Sequence, residues 1–290
     1  MTQTLDQHSW LARATGNPVV LDSDADNEID DHFAVAWALA AADLDLVALH
    51  AAPFANDRSS DAGAGMVQSA EQLRRLTAAA GRDIPVYEGS AGYLDTATDR
   101  RPAAVRDLLR RAGSGPVTVI AIGAITNIAL ALQADPTIAG RLTVVWLGGQ
   151  PLWSDDPAEF NFSSDPAATR IVLESEVDLL LVPCRGVAEL LFTTYAELQA
   201  GLGTSAVDTH LLDVYRDQNA LTPGLARPIW DMAAVACLLL PGAVQVSDVD
   251  IPLLDGTAHW VAGSTNRSIP VVQWLDRNQI FIDFFTRLRG

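Results

Sequence analysis

The chain has 290 residues, 49% of them hydrophobic, and a formal net charge of −17. That length and apolar content suffice for a large core, and no composition break divides the chain, so a single domain over residues 1–290 is expected. The acidic balance offers no basic footprint for phosphate backbones or anionic lipid; nucleic acid and membrane surfaces are poor partners, and a small neutral ligand or a cation fits better.

The N-terminal stretch MTQTLDQHSWLARATG has no uninterrupted apolar segment of the signal-peptide kind. Cys184 and Cys237 lie far apart with no CxxC pair, the pattern of a reduced, cytoplasmic protein. The first apolar run, residues 18–21, reads as a strand and leads straight into an acidic segment. Asp22, Asp24, Asp26, Glu28, Asp30 and Asp31 place six carboxylates within ten residues. A helix with apolar periodicity is expected over residues 31–42.

So many like charges at a strand end are costly unless a positive charge offsets them, and hard oxygen donors select Ca²⁺ or Mg²⁺. A solvated acidic loop whose last members cap the next helix is the competing reading. EF-hand ligation is excluded, because its fixed Gly and terminal Glu are missing.

Further strands are expected at 46–49, 117–122, 142–146 and 179–182, alternating with helical stretches such as 165–175. Strands that are apolar throughout, such as VTVIAI, indicate burial on both faces, hence an α/β fold with a mostly parallel central sheet flanked by helices. Ligands then bind at the carboxyl ends of the strands. MAAVACLLL, 232–240, is a buried helix too short for a bilayer, which needs about 20 residues. Stretches 148–157 and 222–228 read as loops able to contribute to a lid. Short strands near 243–251, 258–262 and 269–274 precede a final helix near 276–288.

Local chemistry gives several side chains ordinary roles. Asn56 before Asp57 suits a turn, Thr126 and Asn127 suit a cap on the helix IALAL, and Asp165 before Pro166 suits another cap. Glu159 and Asn161 flank Phe160, so an extended segment would point both polar groups one way and the ring inward. His32 and His50 receive no role.

A strand ending in DxD, followed by a DD pair that opens a helix, resembles the N-terminal motif of the inosine/uridine-preferring nucleoside hydrolases. Further blocks agree in order: AAPFAN at 51–56, AIGAITNIALAL at 121–132, LGGQ at 147–150 with AEFNFSSDPAATRIVLES at 158–175, and IWDMAAVACLLLP at 229–241. The resemblance spans about residues 18–241 and implies the open, Rossmann-like architecture of that family. It also implies hydrolysis of a ribonucleoside to ribose and free base, with Ca²⁺ as cofactor.

Carried over residue by residue, the resemblance makes Asp24 the calcium ligand that activates the attacking water. Asp31 and Asp231 become further ligands, and Ile122 contributes its backbone carbonyl. Asp30, Asn56, Glu159 and Asn161 would hold the ribose hydroxyls. The assignment suits the chemistry, since breaking an N-glycosidic bond passes through an oxocarbenium-like sugar that carboxylates stabilise. A symmetric homo-oligomer, dimer or tetramer, is expected on general grounds.

Two departures stand out. The family spacing is DxDxxxDD, whereas Asp24 to Asp30 is two residues longer. Pairing Asp22 with Asp24 keeps the DxD at the strand end and is preferred; pairing Asp24 with Asp26 restores the spacing and remains the alternative register. Second, many family members carry a histidine immediately before the late aspartate, and here Trp230 stands there. Indole is no general acid, but it can stack on a purine or simply pack in the core. Trp153, where the family tends to keep a polar sugar contact, is a second candidate for the base. Arg185 and Arg227 form no clear cluster for a phosphorylated substrate. A calcium-stabilised nucleoside or sugar binding protein, or a hydrolase of another N-riboside, stays open beside the leading reading.

Overall fold

Strand and helix alternate along the chain, as the apolar periodicity requires. The computed structural model describes residues 9–152, 154, 158–218, 222 and 224–290. A short helix α1 (Ser9–Ala14) leads into β1 (Val19–Ser23), α2 (Asp30–Ala40), β2 (Leu46–Ala51), α3 (Ala62–Ala79) and β3 (Val86–Glu88). The middle of the chain forms α4 (Ala103–Ser114), β4 (Val117–Ala121), α5 (Thr126–Ala134), β5 (Leu142–Leu147), α6 (Phe160–Ser164), α7 (Pro166–Glu174) and β6 (Asp178–Val182). Then come β7 (Phe192–Thr193), α8 (Tyr195–Gly201), α9 (Ala206–Gln218), β8 (Arg227–Pro228), α10 (Met232–Leu239), β9 (Val244–Leu254), β10 (Trp260–Leu275) and α11 (Arg277–Arg289).

The main sheet runs β3-β2-β1-β4-β5-β6-β10-β9, while β7 and β8 form a separate pair. Every neighbour in the main sheet is parallel except β9 on β10, at the edge. The expected mostly parallel α/β sheet is therefore the observed one. Strand order reverses between β1 and β4, and at such a switch point the loops diverge to opposite faces and leave a crevice at the strand carboxyl ends.

Alternation along the strands splits the core into two layers. Val19, Leu21 and Ile120 pack with Phe33 and Trp37 of α2, Leu73 of α3, Met232 of α10 and Phe284 of α11. Val20 and Val119 face the other way, onto Leu108 of α4, Ile128 of α5 and Val172 of α7. Both faces being covered, these strands are apolar throughout.

Several local expectations are corrected. The segments at 258–262 and 269–274 belong to one 16-residue strand, β10, interrupted by register shifts. Thr126 and Asn127 do not cap α5, whose N-cap Ile125 makes no side-chain cap bond; long-range partners take both side chains. Residues 160–164 are helical, not extended. Phe160 is consequently 37% exposed, and Phe162 fills the core position, stacked on Trp146. Asp165 does cap α7, accepting from the Ala168 amide at 3.0 Å with Pro166 in the first turn.

Candidate active site

At the end of β1, alternation sends Asp22 and Ser23 to opposite faces of the sheet. Asp22 turns toward α5, where Asn127 Nδ2 donates to its Oδ2 at 2.8 Å. Burial pushes its pKa up to about 7, and the Asn127 bond offsets part of that rise. Ser23 turns toward α2 and donates to Asp31 Oδ1 at 2.6 Å. Asp24 follows the strand; it is buried, and neither carboxylate oxygen has a hydrogen-bond partner.

The chain then turns tightly, with the Asn27 amide on the Asp24 carbonyl at 2.9 Å, and enters α2 at Asp30 and Asp31. These two are not a solvated cap. They are 7% and 1% exposed, and the N-cap residue is Ile29, which contributes no side-chain bond. Asp231 arrives from the far side of the same crevice at the start of α10, also buried. Among the described residues, Asp30, Asp31 and Asp231 offer oxygens that all lie within 4.8 Å of one another. Asp24 stands beside that trio, within electrostatic range of all three carboxylates.

Burial lifts the pKa values of Asp24, Asp30 and Asp231 well above the usual carboxylate range, and mutual repulsion adds to it. Asp31 is pushed up to about 7, again mainly by burial, with the Ser23 hydroxyl pulling the other way. Four buried carboxylates of this kind need protons or a cation. The unpartnered oxygens of Asp24 and the convergence of the other three fit a hard divalent ion, which oxygen donors suit.

Asp26 lies elsewhere. Its φ is +95°, and its carboxylate accepts from Arg58 at 3.1 Å and Gln72 at 3.3 Å. The geometry thus puts Asp24, and not Asp26, beside Asp31, and the two extra residues form a bulging turn. Ile122 follows β4 with its amide on the Asp22 carbonyl at 2.8 Å. The next residue, Gly123, passes so near Asp24 that a Cβ there would sit 3.1 Å from the Asp24 Cβ and Cγ.

Glu159 reaches the site in an unexpected role. It is the N-cap of α6, accepting from the amides of Asn161 (3.0 Å), Phe162 (3.1 Å) and Gly149 (2.9 Å). Asn161 is buried and donates to the Leu147 carbonyl at the end of β5 at 3.1 Å. Asn56 realises the turn reading. Its Oδ1 accepts from the Arg58 amide at 2.8 Å, and its Nδ2 donates to Asn27 Oδ1 at 2.8 Å, so its amide is committed away from the carboxylates.

Trp230 is half-buried, packed against the core beside Asp231. Trp153 lies outside the described residues. His32 pairs with His210 of α9 at 2.9 Å, and His50 with Asp107 of α4 at 3.0 Å. Ser23, Gly123 and Cys184 are site neighbours that sequence reasoning passed over. The placing of all three within a residue or two of a strand's carboxyl end was the available signal.

The family model described as inosine-uridine preferring nucleoside hydrolase matches residues 19–281. The chain belongs to this family. The hydrolase is 29% identical over 251 residues to the non-specific ribonucleoside hydrolase RihC of Escherichia coli, covering 77% of this chain and 79% of that one. Its fold is that of the plant nucleoside hydrolase PpNRh1 (TM-score 0.74, 22% identity, 93% of this chain and 98% of the other). It is shared with a purine-preferring ribonucleoside hydrolase from Gardnerella vaginalis (TM-score 0.69, 21% identity, 94% and 98%). The hydrolase is thus an enzyme of the N-glycosyl hydrolase class, built around a buried acidic cluster suited to a metal ion. No described helix is long and apolar enough to cross a membrane.

Proposed function

We propose that this hydrolase cleaves the N-glycosidic bond of purine ribonucleosides with water activated at a calcium site formed by Asp24, Asp31, Asp231 and the Ile122 carbonyl. The observation that carries the reading is the pair of buried, unpartnered Asp24 oxygens beside three converging carboxylates. A bound hard cation would offset their charge and lower the pKa of a water in its coordination sphere.

The chain's own residues supply the rest. Asp24, at the end of β1, takes a proton from the attacking water. Asp30 and Asn161 hold ribose hydroxyls, while the surrounding carboxylates stabilise the oxocarbenium-like sugar as the bond to the base breaks. Direct attack by water gives inversion at the anomeric carbon. In this reading Glu159 acts by fixing the backbone of Asn161 and Gly149, whose amides it accepts, and Asn56 acts by shaping the turn below Asp24.

Trp230 supports the purine preference. An indole beside Asp231 cannot protonate a leaving group but can stack on a bicyclic base, which then takes its proton from solvent. The purine-preferring relative from Gardnerella vaginalis points the same way, and the non-specific RihC points to broader tolerance. A homo-oligomer and a cytoplasmic setting complete the reading; the two buried, free cysteines accord with a reducing compartment.

The test is ribose release from purine, pyrimidine and nicotinamide ribosides, with chelator and with added calcium. Purine turnover that chelator abolishes and calcium restores is expected. Equal turnover of pyrimidine ribosides would remove the purine preference, and full activity in chelator would remove the metal.

A further inference from the structure

Strands β5 and β6 stay joined beyond their last registered pair, Leu147 and Val182. The Gly148 amide donates to the Val182 carbonyl at 3.1 Å, and the Cys184 amide donates to the Gly149 carbonyl at 3.0 Å. Gly149 then turns the chain out of the sheet with a φ of +73°, in the left-handed region that glycine favours. From here the buried Gln150 side chain continues what the backbone has left. Its Oε1 accepts from the Arg185 amide at 3.1 Å, and its Nε2 donates to the Ala158 carbonyl at 3.2 Å. A carboxamide offers the same acceptor and donor as a peptide group, so Gln150 serves as one extra ladder unit between the end of β6 and the chain returning toward α6.

That returning segment carries the side chain proposed to meet the sugar. It is tied to the end of β5 by three bonds: Gln150 to the Ala158 carbonyl, the Gly149 amide to Glu159 Oε2 at 2.9 Å, and Asn161 Nδ2 to the Leu147 carbonyl at 3.1 Å. Only the Gln150 bridge also reaches β6, through Arg185. Asn161 Oδ1 has no hydrogen-bond partner among the described residues, which leaves it for a ligand. A recognition group must be held to within about 0.5 Å of its productive position by its supporting bonds, and Gln150 is the side chain that fixes this segment against two strands at once.

We propose that Gln150 is a positioning residue for ribose recognition: it holds residues 158–161 on the carboxyl end of the sheet so that Asn161 meets the sugar hydroxyls. The inference rests on the nucleoside hydrolase reading and deepens it by naming a residue that sets sugar affinity through another side chain. A hydroxyl contact made equally in the ground and transition states appears in KM and leaves kcat nearly unchanged.

The experiment compares wild type, Gln150→Met, Asn161→Ala and the double variant on inosine and uridine, reading kcat and KM separately, with nucleoside-induced thermal shifts alongside. Methionine keeps nearly the length of glutamine and removes both bonds. Gln150→Met is expected to raise KM about fivefold, the worth of one neutral hydrogen bond, with kcat within about twofold of wild type. In the Asn161→Ala background the same substitution should leave KM unchanged, because the contact it displaces is already gone. A merely structural role would lower the thermal midpoint and multiply the two KM effects; that product, or a wild-type KM in folded Gln150→Met, overturns the proposal. Should Gln150→Met not fold, Gln150→Glu, which keeps the acceptor for the Arg185 amide and loses the donor to Ala158, enters the same cycle with the same expected and overturning results. Wild type that binds these nucleosides without releasing ribose would overturn the hydrolase reading alone, and the cycle is then read from the thermal shifts. Wild type that neither binds nor cleaves them overturns both.

Discussion

Asn127 donates to Asp22 at 2.8 Å on one face of the sheet, while one residue later Ser23 donates to Asp31 at 2.6 Å on the other. Two adjacent residues of β1 thus hold two different helices, α5 and α2, against the strand whose next residue is Asp24. The position of Asp24 is set from both faces. Asp26, two residues on, is set by neither and is tied to Arg58 instead.

This asymmetry separates the two candidate registers. Asp24→Asn is expected to lower kcat by roughly 10³-fold or more, the scale of losing an activated water. Asp26→Asn breaks only an ion pair with a partly exposed arginine, so activity within about threefold of wild type is expected, in line with the small worth of such pairs. Steady-state ribose release decides it, and the reverse ranking would restore the other register.

Gly123 offers a way to move Asp24 without touching it. A methyl at this position meets the Asp24 and Ala52 side chains at 3.1 Å, and all three belong to buried backbone with little room to give. Gly123→Ala is expected to weaken calcium dependence, with a higher calcium concentration needed for half-maximal activity. The change in thermal midpoint should stay within about 2 kcal/mol of stability, the usual range for overpacking. An unchanged calcium requirement would mean that Asp24 tolerates displacement.

His50 and Asp107 make the fold acid-sensitive away from the site. Burial pushes the His50 pKa down, so the folded protein holds it neutral; that contribution is complete above the unfolded value of 6.5 and is lost as pH falls below it. Burial works against the Asp107 carboxylate, but hydrogen bonds from His50, Arg111 and Arg110 outweigh it and hold the group far below the usual range. Its contribution is present above the unfolded value of about 3.9 and lost as pH falls further. The thermal midpoint of wild type is expected to drop progressively on acidification from pH 6.5. Asp107→Asn should lower it by an amount worth about 3 kcal/mol near neutrality, because Arg111 loses its buried partner, and should flatten the acid limb.

Trp230 is the side chain on which base preference turns in the proposed reading. Trp230→Ala should raise KM for purine ribosides about fivefold while leaving pyrimidine ribosides within about twofold, the change that stacking of order 1 kcal/mol produces. Equal losses on both classes, accompanied by a lower melting temperature, would assign the indole to core packing.

Much of this was legible in the chain itself. Alternating apolar strands and amphipathic helices specify a parallel sheet, because only burial on both faces explains runs such as VTVIAI. Spacing of the acidic and amide blocks identified the family's motifs in order. These are local signals, carried by periodicity and by residues close in sequence. What the tertiary structure decided were matters of direction. A carboxylate's role depends on which donors reach it, and those come from distant segments. Glu159 became a cap because Gly149 and the first turn of α6 present three amides to it, and Asn56 became a turn residue because Asn27 faces it. Thr126 and Asn127 left their helix end for Asp165 and Asp22, bonds across 39 and 105 residues that no local pattern encodes. Short polar side chains fit many partners equally well, so packing of the helices against the sheet, and not residue type, selects among them.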